Sequence, residues 1–558
     1  MISLRYSLLF TIVATIHLVV AQIPSNIPVY STKLESPTSN QFVVYPGNDS
    51  TAMAQAAYTN QMMEIGWGYI SITTNPDFTD FQQAMAAGFI EGYLSADMIW
   101  QTWYNIYVNE YNNQSVPSSI IDWSDENLAY IYKQVEANTN DPFWIHISLI
   151  VTQMSSMVDG YNSANTDPSK ELTMLEFYLM NSDGDMGDIS YALNLTTEQY
   201  RKSLIAADGL PKEISKKDWV KRFEHCSSLI KLTDDLSELY SEVDLLIKIS
   251  LAHTSWSSYY VMVRMFKSYN LKYSAFASSH LVMFSGYPAT LASCDDFYLL
   301  DTRLVVTETT NGLLNNNLYN LINPQSVLTW MRAIVANRLA HNGPSWCEAF
   351  SNENSGTYNN QWMITDYNKF VKGVRVRDGT LYVLEQIPGY IEYADVTNIL
   401  RTGYWPSYNV PYFENIFNMS GFNDTGSSDY EAYEEDPRSQ IFRRDANKVY
   451  SMSDFQAIMR YNNFQHDPLS QGDAANQISS RFDLNLPTAQ DYDAFGGIDS
   501  KVTSYHISTI WSDSTHDQQP PFQWSAANWT AEYPTIGMPN TWNFTWVTFE
   551  DTTFSVSQ

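Results

Sequence analysis

The spacing of apolar residues changes at Cys226, and this change constrains the fold more than any other feature of the chain. Before it, apolar side chains recur at helical spacing in three segments: 78–107, 142–158 and 172–180. After it, two β-favouring runs at 226–233 and 243–253 are joined by polar residues, which predicts a hairpin. Helices followed by a mixture of helices and strands are typical of an α+β fold.

The same signals predict the remaining elements. Strands are expected at 281–285, 297–300, 304–309, 358–365 and 380–386. Helices are expected at 257–269 and at 326–339, where apolar residues recur at helical spacing. Segment 181–188 resembles a calcium-binding loop, but it lacks Gly at the sixth position and Glu at the twelfth, so we expect a turn.

The first 21 residues have the organisation of a secretory signal peptide. Arg5 precedes a short apolar stretch, 8–20, and Val19-Val20-Ala21 offers small or β-branched residues for cleavage before Gln22. An uncleaved membrane anchor is the alternative, although the stretch is short for a bilayer that needs about 20 apolar residues. No later run approaches that length. We therefore expect a soluble mature chain that is secreted or lies in the lysosomal or endosomal lumen.

Charge and glycosylation signals agree with that location. The chain has 31 Lys and Arg against 61 Asp and Glu, a formal net charge of −30. So acidic a surface repels phosphate backbones, which argues against a nucleic-acid partner. Asparagines two residues before Ser or Thr are candidate glycosylation sites. They are Asn48, Asn113, Asn194, Asn418, Asn423, Asn528 and Asn543.

The three cysteines are too few to staple a secreted protein of this size, so the fold must depend on its core. Their odd number leaves at least one thiol unpaired. Cys294 and Cys347 could pair, or both could be buried and inert. The sequence also lacks G-x-S-x-G, H-E-x-x-H, C-x-x-C and Gly-rich phosphate-binding motifs. We therefore expect no metal and no organic cofactor.

Cys226 is the candidate for catalytic chemistry. It follows a polar connector, 202–225, and begins a predicted strand. Cleavage of the peptide bond before it would expose an α-amino group, with a pKa near 7.7–8.0 in model peptides, as a base for the thiol. This arrangement needs no separate catalytic histidine. The alternative is a buried structural cysteine.

From Cys226 onward the sequence resembles the phospholipase B-like family, also called the lamina ancestor family, whose members are N-terminal nucleophile hydrolases. The resemblance rests on short runs in family order that cover most of 226–540. They are HCS at 225–227, AHTSWSSY at 252–259, SGYP at 285–288, DDFY at 295–298, NSGTYNNQWM at 354–363, LEQIPG at 384–389, SYNVPYF at 407–413, MRYN at 459–462, HDPLS at 466–470, GGID at 496–499 and PPFQW at 520–524.

This resemblance implies an αββα sandwich and a precursor cleaved between His225 and Cys226. The chain would then divide into a signal peptide (1–21), a mainly helical N-terminal portion (22–201), an exposed linker cleaved before Cys226 (202–225) and a hydrolase portion that carries the active site (226–558). The implied catalytic residues are Cys226, His253, Trp256, Asn409 and Arg438. Disulfide-forming cysteines of some relatives are absent, and the turn after Cys226 is longer than expected.

Each implied residue has a possible role and an ordinary alternative. Asn409 would donate to the oxyanion; Asn359 and Asn360 are second choices that could instead bond at a sheet edge. His253 would orient the N-terminus or the substrate, or be a hydrogen-bonded structural histidine.

The other two implied residues bear on the substrate. Trp256 would line the pocket, or belong to the core. Arg438 would bind a carboxylate or phosphate, or form a structural ion pair.

The resemblance implies an acyl hydrolase that removes fatty acyl groups from phospholipids by thioester chemistry, in transient contact with lipid surfaces. The residues themselves indicate only that a cysteine attacks an acyl carbonyl. An amidase acting on acyl amides or short peptides is therefore an alternative, as is a self-processed luminal lipid-binding protein without turnover.

Overall fold

A computed structural model describes residues 21–22, 27–36, 41–111, 113, 115–195, 226–234, 247–370, 376–424, 433–489, 491–504, 509–513 and 517–549. Nearly all of the expected signal peptide and the whole linker, including His225, lie outside these residues. The cleavage between His225 and Cys226 therefore stays a prediction.

The strands form two sheets. They are β1 Ala21–Gln22, β2 Val29–Leu34, β3 Phe42–Pro46, β4 Ala54–Gln61, β5 Trp67–Thr74, β6 Ser227–Asp234, β7 Ile247–Ser258, β8 Met265–Asn270, β9 Leu281–Gly286, β10 Phe297–Leu300, β11 Leu304–Thr310, β12 Asn360–Asp366, β13 Leu381–Ile387, β14 Tyr390–Asp395, β15 Tyr404–Ser407, β16 Phe495–Thr503, β17 Thr509–Asp513 and β18 Val547–Phe549. The seven-stranded sheet has the order β1-β18-β17-β16-β7-β6-β15, and the eleven-stranded sheet has the order β14-β13-β12-β11-β10-β9-β8-β5-β4-β2-β3.

Of the α-helices in the described residues, seven lie before Cys226 and seven, mostly shorter, lie after it. They are α1 Met62–Ile65, α2 Asp80–Leu94, α3 Ala96–Glu110, α4 Ser118–Ala137, α5 Pro142–Ala164, α6 Met174–Asn181, α7 Asp183–Ala192, α8 Thr329–Leu339, α9 Gly343–Phe350, α10 Thr397–Leu400, α11 Glu414–Met419, α12 Pro437–Asp445, α13 Met452–Met459 and α14 Trp529–Glu532. Within the described residues, none of them combines the length and apolar content that a membrane span needs.

The larger sheet joins the chain on both sides of Cys226. Strand β5 pairs in parallel with β8, with Gly68 opposite Met265, whereas the other neighbours in this sheet are antiparallel. The expected N-terminal portion therefore contributes strands β2–β5 to the sheet that also carries β8–β14. Helices α2, α3, α5 and α6 of this portion were predicted, whereas α1, α4, α7 and these strands were not.

Successive side chains on the central strands of the larger sheet pack in different apolar clusters. Met363 on β12 lies in a cluster with Ile249 of β7 and Trp405 of β15, so this cluster lies between the two sheets. Ile364, the next residue, packs in a cluster with helical residues such as Ile147 of α5. Adjacent strand residues point to opposite faces of a sheet, so the larger sheet is covered on both faces.

The smaller sheet also has helices on its other face. Leu229 of β6 and Ala252 of β7 share an apolar cluster with Ile441 of α12 and Phe455 of α13. Each sheet therefore packs against helices on one face and against the other sheet on the opposite face. The described residues have a mixed α+β architecture.

Most predicted elements coincide with observed ones. The β6–β7 hairpin is antiparallel, with Ser228 opposite His253, as expected. The five further strands correspond to β9–β13, and the helix over 326–339 corresponds to α8. The helical segment 78–107 is two helices, α2 and α3, which are separated by Ser95.

Two local predictions were wrong. Segment 181–188 was expected to be a turn, but α7 begins at Asp183. This helix is held by tertiary contacts that apolar spacing does not reveal: buried Asp185 accepts hydrogen bonds from the Thr329 backbone N–H and the Thr357 hydroxyl.

Segment 257–269 was expected to be a helix. It instead contains the end of β7, a short 3-10 turn at Tyr259–Val261 and the start of β8. Its side chains are almost all buried, including Arg264 and Lys267, so the segment lacks the regular polar face from which a helix or a strand is recognised.

The cysteines and sequons can be compared with their expectations. Cys226, Cys294 and Cys347 are free thiols, so the possible pairing of the last two is absent. All seven sequon asparagines are exposed, which glycosylation requires without demonstrating it.

Helices α2 and α5 cross at small residues. A Cβ atom placed on Gly88 would lie 2.0 Å from the Gln153 carbonyl oxygen, and one on Gly160 would lie 2.1 Å from the Phe89 oxygen. Only glycine allows the two helix backbones to lie this close, because a Cβ atom would overlap the backbone of the neighbouring helix.

We expect Gly88→Ala to destabilise the protein. Alanine favours a helix over glycine by about 1 kcal/mol, but the overlap with the α5 backbone should cost more and give a net loss of about 1–3 kcal/mol. Thermal unfolding measures the effect, with Ser155→Ala at an exposed position of α5 as the control. A melting temperature equal to or above that of the parent would contradict the close packing.

Candidate active site

Cys226 lies immediately before β6 in a strained backbone conformation. Its φ is +88°, its side chain is buried, and its carbonyl oxygen accepts a hydrogen bond of 3.0 Å from Nη1 of Arg438. The pairing of Ser227 with Thr254 brings Cys226 next to β7, which carries His253 and Trp256. The hairpin predicted from the sequence is therefore the element that positions the thiol.

Two buried carboxyl groups and a phenol lie on the other side of the thiol. Cys226 Sγ is 3.7 Å from Oδ2 of Asp296, and Asp296 also accepts hydrogen bonds of 2.8 and 2.9 Å from the Tyr358 hydroxyl. Glu308 on β11 is adjacent, because its backbone N–H donates to the Asp296 carbonyl at 3.3 Å. Asp296 and Glu308 are almost completely removed from water, and Tyr358 is partly buried.

The two carboxyl groups differ in protonation. Burial, and then the charge of Asp296, raises the pKa of Glu308 well above its usual range. Burial raises the pKa of Asp296 only to about 6, because hydrogen bonds from Glu308 and Tyr358 favour its ionised form. Glu308 therefore keeps its proton, and Asp296 is the member of the pair that carries the charge above about pH 6.

The Cys226 thiol is protonated in this environment. Burial, followed by the negative charge of Asp296, raises its pKa well above the ordinary value. A protonated thiol is a poor nucleophile, so any attack by sulfur needs a group that accepts its proton.

His253 is neutral and is hydrogen-bonded to the backbone of Glu308. Its Nε2–H donates to the Glu308 carbonyl oxygen at 2.8 Å, and burial, then Lys501, lowers its pKa well below the usual value. Ligand atoms of Cys226, His253 and Asp296 all lie within 4.8 Å of one another. Thiolate, imidazole and carboxylate are donor types that zinc accepts, although the sequence predicts no metal.

Arg438 and Asn409 form the opposite wall. Nη1 of Arg438 donates to Oδ1 of Asn409 at 2.6 Å, and Nη2 donates to the Tyr408 carbonyl at 2.6 Å. The guanidinium also lies 4.6 Å from the centre of the Trp256 ring. Arg438 thus binds groups of the protein itself, whereas Arg443 and Arg444 are more exposed and pair with nearby acids.

The three asparagines named as oxyanion donors are in different situations. Asn409 donates from Nδ2 to the Thr310 carbonyl at 2.6 Å, and its φ is +69°. Asn359 donates to the Gly356 carbonyl and to Asp188. Among the described residues, the buried amide of Asn360 has no hydrogen-bond partner, so it is the stronger second choice.

Backbone strain is concentrated around the thiol. Cys226, Asp296, Tyr358 and Asn409 all have φ between +47° and +88°, a region that residues with a side chain adopt at a cost of roughly 1–3 kcal/mol. Four such residues within one small region indicate a constellation whose geometry is maintained by the surrounding fold.

Sequence reasoning identified part of this constellation. The implied residues Cys226, His253, Trp256, Asn409 and Arg438 are brought together by these contacts, and Trp256 lines an adjoining cavity while its indole N–H donates to the Ile478 carbonyl. Asp296, Tyr358 and Glu308 were missed. The first two lie within the runs that carry the family resemblance, which offered a signal, whereas Glu308 lies outside them.

Comparison with known proteins gives a consistent result. A family model described as Phospholipase B matches residues 54–549. Phospholipase B-like proteins B and C of Dictyostelium discoideum are 63% and 55% identical, each over 95% of this chain and 91% and 92% of their own lengths. The putative phospholipase B-like 2 of Mus musculus is 37% identical over 93% of this chain and 88% of its own length. The chain therefore belongs to the phospholipase B family.

Proposed function

We propose that this protein is a self-processed N-terminal cysteine hydrolase that removes fatty acyl groups from phospholipids. The observation that carries the proposal is the strained, buried Cys226 at the start of β6, with Arg438 on its carbonyl and Asp296 beside its thiol. Family membership supports a phospholipase-like activity, and two sheets packed between helices support the αββα sandwich of N-terminal nucleophile hydrolases.

Self-cleavage is the first reaction. Sγ of Cys226 attacks the carbonyl carbon of His225 while the thiol proton passes to Asp296. The tetrahedral adduct then breaks its C–N bond, and the departing α-amine of Cys226 takes the proton back from Asp296. Water hydrolyses the resulting thioester to the His225 carboxylate and a free thiol.

Asp296 is needed because the α-amine is not yet a base. Before cleavage that nitrogen belongs to a peptide bond, and its lone pair is delocalised into the carbonyl. Asp296 is the carboxylate in contact with Sγ, and Glu308 and Tyr358 stabilise its ionised form.

Substrate turnover uses the freed N-terminus. The α-amine takes the thiol proton as sulfur attacks the ester carbonyl, and it returns that proton to the departing alcohol. Asn409, fixed by Arg438 and Thr310, donates to the oxyanion, and water releases the fatty acid from the thioester. His253 orients the N-terminus.

The proposal places the enzyme outside the cell or in the lysosomal or endosomal lumen. The signal-like N-terminus and the exposure of all seven sequon asparagines support this location. Immunolocalisation and glycosidase digestion of the expressed protein test it.

We expect the purified protein to migrate as two fragments of about 23 and about 38 kDa before glycans, with Cys226 at the new N-terminus. Cys226→Ala should stay whole, because it lacks the attacking sulfur. Cys347→Ala, which removes another buried thiol, is the matched control and should be cleaved. Denaturing gels with N-terminal sequencing decide the point, and an intact parent protein would refute self-cleavage.

Asp296→Asn should slow self-cleavage by about 10²-fold or more, the usual contribution of a positioned base. Glu308→Gln should slow it less, because an amide N–H still donates to Asp296. Pulse-chase analysis measures both rates, and equal rates for Asp296→Asn and the parent would remove Asp296 from the mechanism.

Mature protein should release fatty acid from phospholipid vesicles. Release only from an acyl amide would replace the phospholipase with an amidase. Inactivity on both substrates, with Cys226 correctly exposed as the N-terminus, would favour a luminal binding protein.

A further inference from the structure

A cavity adjoins the Cys226 site. Its wall includes Trp256, which packs against Arg438; Tyr358, which donates to Asp296; and Thr310, whose carbonyl binds Asn409. The cavity volume is about 90 Å³. Since a cavity of about 150 Å³ holds a benzene molecule, this one suits a few heavy atoms rather than an acyl chain.

The charged residues that line the cavity are all acidic. They are Glu110, Asp183, Asp188 and Asp295; among the described lining residues there is no Lys, Arg or His. Lys501 lies behind this wall, where its Nζ donates to Ser255 Oγ, to the Asp295 carbonyl and to Asp499. The cavity therefore favours a cation over a phosphate or a carboxylate.

Two buried oxygens of the lining residues have no donor within the described part of the chain. They are Oδ2 of Asp295, whose side chain is 0% exposed, and Oδ1 of Asn311, which is 4% exposed. The other Asp295 oxygen accepts from the Tyr287 hydroxyl at 2.5 Å, so the carboxyl group is fixed in place. Buried acceptors without donors are unfavourable, and a ligand that brings N–H groups would satisfy them.

Aromatic rings form much of the remaining wall. They are Trp256, Tyr260, Tyr287, Tyr319, Tyr358 and Phe495. Ring faces attract cations, and aromatic walls combined with carboxylates are a common way to bind ammonium groups.

We infer that this cavity binds a small protonated amine of the substrate beside the nucleophile. That this amine belongs to a substrate rests on the proposed function, whereas the binding of the amine itself does not. The amine has two possible sources, an ethanolamine-type lipid headgroup or the amine side of an acyl amide, and both present the same charge and N–H donors to Asp295 and Asn311.

Titration with small ligands tests the site without turnover. Ethanolammonium and ethylene glycol have the same heavy-atom shape, but only the first carries a charge and ammonium donors. Burial, and then Asp499, raises the pKa of Asp295 to about 7, so the titration is performed at about pH 8. Ligand-observed NMR on the wild-type protein should give ethanolammonium an affinity at least tenfold above that of ethylene glycol, and inorganic phosphate should not compete. Equal affinities would overturn the inference.

Asp295→Asn replaces Oδ2 with an N–H donor and retains the acceptor for Tyr287. It should weaken ethanolammonium binding at least tenfold, whereas Asp125→Asn, an equal change of charge on the exposed face of α4, should not. Binding unchanged by Asp295→Asn would place the amine elsewhere. If that variant melts early, the comparison of the two ligands on the wild-type protein still decides the inference.

Hydrolysis distinguishes the two sources. Faster release from phosphatidylethanolamine than from phosphatidylglycerol vesicles would assign the amine to the lipid headgroup, and faster cleavage of acyl amides with a cationic amine than with a neutral one would assign it to the leaving group. Ethanolammonium binding without hydrolysis would reject the proposed function alone. Hydrolysis without ethanolammonium binding would reject this inference alone.

Discussion

The rest of the site depends on the hydrogen bonds that the buried guanidinium of Arg438 donates. It connects the carbonyl of Cys226, the side chain of Asn409 and the carbonyl of Tyr408. A fully buried arginine is unfavourable unless its donors are satisfied, so these acceptors must stay in place for the fold to be stable. Asp436, 3.7 Å from Nε of Arg438, also accepts hydrogen bonds from the first turn of α12. One charged side chain thereby fixes three segments that are far apart in sequence.

Two adjacent aspartates that precede the central strand β10 have different functions in this site. Asp296, which ionises at about pH 6 and is in contact with Sγ, can accept a proton from the thiol. Asp295, the preceding residue, lines the cavity instead and offers an acceptor to a ligand. The positive φ of Asp296 accompanies this divergence, since the chain turns between the two aspartates before β10 begins. Adjacent carboxylates can therefore serve the nucleophile and the substrate separately.

Elements that depend on a local sequence pattern could be predicted, whereas contacts that depend on which strands pair could not. Segments such as 281–285 and 304–309 are β-favouring runs bounded by polar residues, and they are strands β9 and β11. The proximity of Glu308 to Asp296 follows from the antiparallel pairing of β10 with β11, which no motif encodes. The cavity likewise combines residues from Glu110 to Ile498, whose meeting depends on the tertiary fold.

The pairing of β5 with β8 has a consequence for the lifetime of the processed protein. In the two-chain form that we propose, the larger sheet contains strands from both fragments, and both share one apolar cluster. Unfolding would then release two separate polypeptides, and recovery would require their association in a concentration-dependent step. The lifetime of the cleaved molecule would then be set by its rate of unfolding rather than by an equilibrium with the unfolded chains.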